Sequence, residues 1–170
     1  MQPKIIKRDR LFITGLSGDA SKTGEVWSNF DNQFNNAPFP KSDENGYEIR
    51  FWSKEKEGND VHVGYSTETG QQIDGFTSLA LPATEYAVFD VLVAKGYDSG
   101  NAEMDKWLED NSLLLKNREI DGNGFIVEFY GERFMGGDKP GSIVEFWVPF
   151  YRICQSCFMP MTTEDNVSNN

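Results

Sequence analysis

An α+β fold with a mostly antiparallel sheet is predicted, and three observations carry the prediction. Extended stretches outnumber helical ones. The order strand–helix–strand–strand runs through the chain twice. Short polar or Gly/Pro-rich turns join neighbouring strands as hairpins. The likeness between the halves lies in the order of elements, not in residue identity. Helices are expected to cover one sheet face. The other face, or the cleft where the halves meet, is left open to a ligand.

Residues 4–16 (KIIKRDRLFITGL) read as a strand with an irregular start, broken by Gly15 and Gly18. Residues 20–35 read as a helix, because Trp27, Phe30 and Phe34 form one apolar stripe and Asp19 or Ser21 can cap it. Pro38 and Pro40 end it. Residues 46–53 (GYEIRFWS) alternate, with Tyr47, Ile49 and Phe51 on one face; residues 60–67 alternate with Val61, Val63 and Tyr65 together. After the linker ETGQQIDG, residues 76–94 hold two extended stretches broken near Pro82. Residues 99–110 read as a helix with Ser99 as its cap and Met104, Trp107 and Leu108 on one face. Residues 124–132 and 142–150 are strands, joined by the Gly/Pro-rich loop RFMGGDKPG.

The 170 residues fit one domain with a short appendage, taken as a domain over 1–152 and a tail over 153–170. The net charge of −11 repels phosphate backbones, and no basic stripe offsets it, so direct nucleic-acid binding is not expected. No apolar run is long enough to cross a bilayer and no signal core follows the N-terminus, so the expected location is the cytoplasm.

Four motifs in order carry a resemblance to a known family. "LPATEYAVFDV" (81–91), a helix with "KWLEDN" (106–111), "VEFYGERF" (127–134) and "SIVEFWVPF" (142–150) resemble the GyrI-like, or bacterial effector-binding, domains, including the ligand domains of AraC-type regulators. The resemblance covers the second half well and the first half mainly by order of elements. It implies two pseudo-symmetric β-α-β-β halves and a cleft between them that binds amphipathic, often cationic, small molecules, as in multidrug-binding transcription regulators. It also implies that an acid in the last strand, here Glu145, meets the ligand's charge.

Glu145 shares a strand face with Ile143 and Trp147, while Val144, Phe146 and Val148 face the other way, toward the helices. A carboxylate beside an indole suits a lipophilic cation, with aromatic walls adding roughly 0.5–2 kcal/mol per good contact. The alternative is structural: Glu145 pairs with Arg50, Arg133 or Arg152, or reaches solvent. With the resemblance, the pocket reading is preferred. The expected wall is Trp147, Tyr65, Tyr47, Trp52, Phe129, Tyr130 and Trp107, although each of these residue types is more often core. Trp107 reads as core from its helical stripe. Trp52 shares a face with Glu48 and Arg50 and is expected to face away from the first helix. Glu128 and Tyr130 share a face and match the family's "E.Y", which makes Glu128 a second acid near the cleft or a surface residue.

No nucleophile elbow or paired metal ligands are visible, no cofactor is expected, and no catalytic residue is assigned. The single histidine, His62, reads as an exposed or hydrogen-bonded strand residue. Cys154 and Cys157 resemble the first half of a zinc ribbon that follows this domain in some relatives. The second ligand pair is missing, so no metal is expected. The leading reading is a stand-alone small-molecule-binding domain. A hydrolase on the same fold, with Glu145 as base, and an acidic protein-interaction module such as a gyrase inhibitor are the alternatives.

Overall fold

The computed structural model describes residues 2–52 and 58–153. Strands β1 (Lys4–Arg8) and β2 (Leu11–Asp19) are separated only by Asp9 and Arg10. Strands β5 (Thr77–Leu81) and β6 (Thr84–Leu92) are separated only by Pro82 and Ala83. Each pair is in effect one long strand bent at its middle. The remaining elements are helix α1 (Thr23–Asn36), β3 (Gly46–Trp52), β4 (Asn59–Thr67), helix α2 (Tyr97–Asn111), the short β7 (Leu115–Asn117) and β8 (Glu119–Ile120), then β9 (Asn123–Tyr130) and β10 (Ile143–Arg152).

The sheet runs β1-β6-β10-β9-β3-β4-β2-β5, with β7 added to β10 and β8 to β9. All of these strand pairings are antiparallel. The predicted α+β architecture is therefore observed, and its pseudo-symmetry is visible in the pairing. The β2-α1-β3-β4 and β6-α2-β9-β10 halves meet at β3 and β9. The leading strand of each half crosses over: β1 pairs with β6, and β5 pairs with β2.

That crossing curls the sheet around its helix-free face. The cluster enclosed there, including Ile13, Ile49, Tyr86, Val127 and Trp147, takes residues from both ends of the sheet. On the other face α1 packs Val26 and Phe30 over Val61 and Val63, and α2 packs Met104 over Phe89, Val144 and Phe146. The middle strands are thus buried on both faces.

The expected break at Gly15 and Gly18 does not occur; β2 runs through both to Asp19. Gly15 lies directly opposite Gly64 on β4, and a Cβ built on Gly15 would sit 1.7 Å from the Val63 carbonyl oxygen. Glycine here permits a close backbone approach rather than ending the strand. Gly15→Ala is expected to destabilise the protein by about 3 kcal/mol or more, since rigid backbone stands in the way. Gly24→Ala, where nothing lies within 4 Å of the added carbon, should leave the urea midpoint unchanged or slightly raised. Equal midpoints for the two variants would refute the close-approach argument.

The helix ends also differ in detail. Asp19 does cap the turn before α1, accepting from the Ser21 amide at 2.8 Å. The second helix starts two residues before the expected cap, and Ser99 lies inside it, donating to the Gly96 carbonyl at 3.2 Å. Strands β7 and β8 are too short to leave a periodic signal and were not anticipated. No described helix is long and apolar enough to cross a membrane. Cys154 and Cys157 lie outside the described residues.

Candidate functional site: a buried acid pair between the helices

Strands β3 and β9 pair with Glu48 directly opposite Glu128. Both side chains point to the helix side, and both residues are buried, at 1% and 5% exposure. Two carboxylates side by side in a buried position are costly unless charge and hydrogen bonds compensate. Arg50, one strand period from Glu48, supplies the charge. Its Nε lies 2.7 Å from Glu128 Oε1, and its Nη2 lies 2.5 Å from Glu48 Oε1. The second contact is an ion pair without hydrogen-bond geometry, so Glu48 Oε1 accepts no hydrogen bond. The Trp27 indole of α1 donates to Glu48 Oε2 at 2.8 Å. The Tyr130 hydroxyl lies 3.2 Å from Glu48 Oε2 and 3.1 Å from Glu128 Oε2.

These groups form the floor of a cleft of about 760 Å³ between the two helices, a size that suits a small organic molecule. Trp27, Thr23 and Gly24 of α1 form one wall; Tyr97, Asn101, Met104 and Leu108 of α2 form the other. Trp52 and Asn59 stand at one end. Trp52 lies flat over Gly124, where a Cβ would come within 2.4 Å of its ring. Trp27 meets Tyr130 edge to face at 5.9 Å, and Tyr97 stacks on Phe146 at 5.9 Å.

The electrostatics follow from this geometry. Burial, then the neighbouring Glu48 charge, push Glu128 up to about 7; Arg50 opposes them. The same burial and the two carboxylates push the Tyr130 phenol well up, so it stays a neutral donor. Tyr97 is raised by its own burial first and by the two acids next. The floor therefore holds two acids and one base, with a proton in play near neutrality.

Of the wall residues expected from sequence, the structure brings Trp52 and Tyr130 into this cleft. Trp52 does share a face with Glu48 and Arg50, but that face is turned toward α1 and not away from it. The reason is that both faces of β3 are buried: Tyr47, Ile49 and Phe51 enter the core inside the curled sheet, so apolar residues did not mark the helix side.

Glu145 lies on the opposite, helix-free face, as its alternation with Phe146 required. Its Oε1 accepts from Arg133 Nη2 at 2.6 Å and its Oε2 from Trp147 Nε1 at 2.8 Å. Arg133 also pairs with Asp90, whose carboxyl it holds down chiefly by hydrogen bonding. Glu145 borders a separate depression of about 450 Å³ with Val88, Phe129 and Arg8. Trp147 is 1% exposed, stacked on Phe129 at 4.6 Å and met by the Tyr47 ring at 6.2 Å. Tyr47 donates to Asp43 at 2.9 Å. Tyr65 packs against Phe30 and Phe34 beneath α1. Trp107 packs between Phe89 and Phe150, as its helical stripe implied.

His62 is buried in the sheet. One ring nitrogen lies 2.9 Å from Ser17 Oγ and the other 3.0 Å from the Ile13 carbonyl, and burial pushes its value down. Glu48, Trp27 and Tyr97 were not anticipated as site residues. For Glu48 and Arg50 a signal did exist: an acid and a base alternating with Trp52 in an otherwise apolar strand.

No protein-family model matches the chain, and no curated protein matches it in sequence. Solved structures do match in fold. SAV2435 bound to tetraphenylphosphonium is 12% identical with a TM-score of 0.60, over 89% of this chain and 94% of that one. The C-terminal domain of EcmrR is 10% identical with a TM-score of 0.67, over 89% and 98%. A hydrolase from Listeria innocua is 10% identical with a TM-score of 0.52, over 88% and 92%. At these identities the likeness is one of fold, and it is the fold that the GyrI-like resemblance implied.

Proposed function

We propose that the chain binds amphipathic organic cations in the cleft between α1 and α2, as a sensing or sequestering domain. The observation that carries this reading is the buried Glu48–Glu128 pair, with one arginine for two acids, beneath the Trp27, Tyr97, Tyr130 and Trp52 rings. An organic cation above such a floor gains Coulomb attraction where water is scarce and cation–π attraction from the walls. Its apolar groups bury against Met104 and Leu108. The fold neighbour that holds tetraphenylphosphonium supports the ligand class.

The test is a titration with tetraphenylphosphonium followed by melting temperature. A ligand present at a hundred times its Kd stabilises the native state by about 2.7 kcal/mol, a shift of several degrees. Glu145 beside Trp147 is the competing acid, and its depression borders Phe129. Glu145→Gln should keep the ligand-induced shift if the cleft is the receptor. Loss of the shift in Glu145→Gln alone would move the site to the helix-free face. No shift in the parent protein at any pH would refute cation binding altogether.

Hydrolysis is a second reading, favoured by one observation: a carboxyl held near neutrality beside a phenol has the protonation range of a general base. Any compound that binds is to be followed for breakdown over time. Release of product by the parent and not by Glu128→Gln would establish turnover.

A further inference from the structure

We infer that the cleft takes a singly charged organic cation in exchange for one proton, held until then between Glu128, Tyr130 and Glu48. This rests on the cation-binding reading and says what leaves the site when the ligand enters.

Hydrogen-bond counting carries the inference. The Tyr130 hydroxyl lies 3.2 Å and 3.1 Å from the Oε2 atoms of Glu48 and Glu128. A phenol has one proton to donate, so it cannot satisfy two ionised carboxylates at full strength. If Glu128 carries a proton on Oε2, the chain closes: Glu128 donates to the Tyr130 oxygen, and Tyr130 donates to Glu48. Glu48 then keeps the Trp27 indole and the Arg50 charge. The Tyr130 hydroxyl and both Oε2 atoms are then satisfied, Glu48 Oε1 faces the Arg50 charge alone, and the floor is neutral, with one carboxylate against one guanidinium.

Bringing a monovalent cation to the floor changes the balance. The charged form of Glu128 is now the favoured one, and its proton leaves to solvent. The floor holds two carboxylates, Arg50 and the ligand's charge, which again sum to zero. A dication would leave an excess positive charge on the floor, so Arg50 fixes the ligand charge at one. The groups that face the acids are Thr23 and Trp27 from α1, Arg50 from β3, Tyr130 from β9, and Tyr97 and Asp105 from α2. Asp105 is exposed at the rim, where water screens it. The value of Glu128 near neutrality agrees with a proton that is held at pH 6 and readily released.

Calorimetric titration with tetraphenylphosphonium in two buffers of different ionisation enthalpy measures the exchange. At pH 6.5, between one half and one proton should be released per cation bound. Affinity should rise about tenfold per pH unit below pH 6 and level off above about pH 8. Tyr130→Phe removes the oxygen that accepts the Glu128 proton, so the midpoint of this profile should move to lower pH. Asp105→Asn should leave the midpoint in place. Cation binding that is pH-independent, with no proton released, overturns the exchange while leaving the binding site intact. A midpoint that follows Asp105 and not Tyr130 overturns it too. Absence of binding even at pH 8.5 overturns the cation-binding reading itself.

Discussion

Replacing Glu128 by glutamine is expected to do two opposite things: weaken cation binding by at least about thirtyfold, and raise the stability of the unliganded protein above pH 7. The first follows from removing one of two acids that attract the ligand at a buried floor, an effect of about 2 kcal/mol or more. The second follows from linkage. The folded value of Glu128 lies near 7, above the ordinary glutamate value of 4.5. Between those two pH values the folded state binds more protons than the unfolded state. The stability that Glu128 contributes is thus fully present below pH 4.5 and is lost as pH rises through 7. Glutamine keeps the hydrogen-bonding shape without a proton to lose. The stability difference between variant and parent should grow from pH 5 to pH 8. His62 acts with the opposite sign, because burial lowers its value. Its contribution is lost as pH falls through the ordinary histidine range, but it is common to both proteins and cancels in the difference. Urea midpoints at five pH values measure the effect. A variant that is less stable at pH 8 would show that the ionised Glu128 is a net stabiliser.

Arg50→Gln is expected to be the most damaging change in the cleft. It removes the positive charge that faces two nearly buried acids and leaves them to repel each other. Breaking a buried ion pair by deleting one partner costs about 3–5 kcal/mol. Arg50 has a side chain that is 34% exposed, so solvent screens part of this and about 2–3 kcal/mol is the expected loss at pH 8. The deficit should shrink toward pH 5, where Glu128 takes up a proton, and tetraphenylphosphonium should restore part of it by supplying the missing charge. A deficit that is the same at every pH would mean that Arg50 acts through packing.

The extent to which the sequence disclosed this protein follows from what each signal measures. The order of elements was legible because Trp27, Phe30 and Phe34 on one helix, and the Gly/Pro turns between strands, act locally. The outward set of the last strand was legible too: Val144, Phe146 and Val148 face α2, leaving Glu145 and Trp147 on the other side. The site was less so. Alternation tells which residues share a face and is silent on which face a helix will cover. In β3, Tyr47 and Ile49 are as buried as Glu48, so counting apolar residues could not place Trp52. Nor could it tell that Glu48 and Glu128 stand opposite each other, because that pairing joins residues 80 apart in the chain. The resemblance directed attention to an acid in the last strand, whereas the acids of the cleft are carried by β3 and β9. The "E.Y" of Glu128 and Tyr130 was the motif that pointed there.

The bent strands have a bearing on how such a cleft can adapt. Because β1 is paired into the second half and β5 into the first, the halves are stitched together at both ends as well as at β3 and β9. No hinge can open between them without tearing backbone hydrogen bonds along several strands. The floor with its fixed charges is accordingly the invariant part of the receptor. What can give is the walls, since α1 and α2 rest on the sheet by packing, at Gly100 with the helix backbone itself against Val91. A receptor built this way is exacting about the sign and number of a visitor's charges and lenient about its outline.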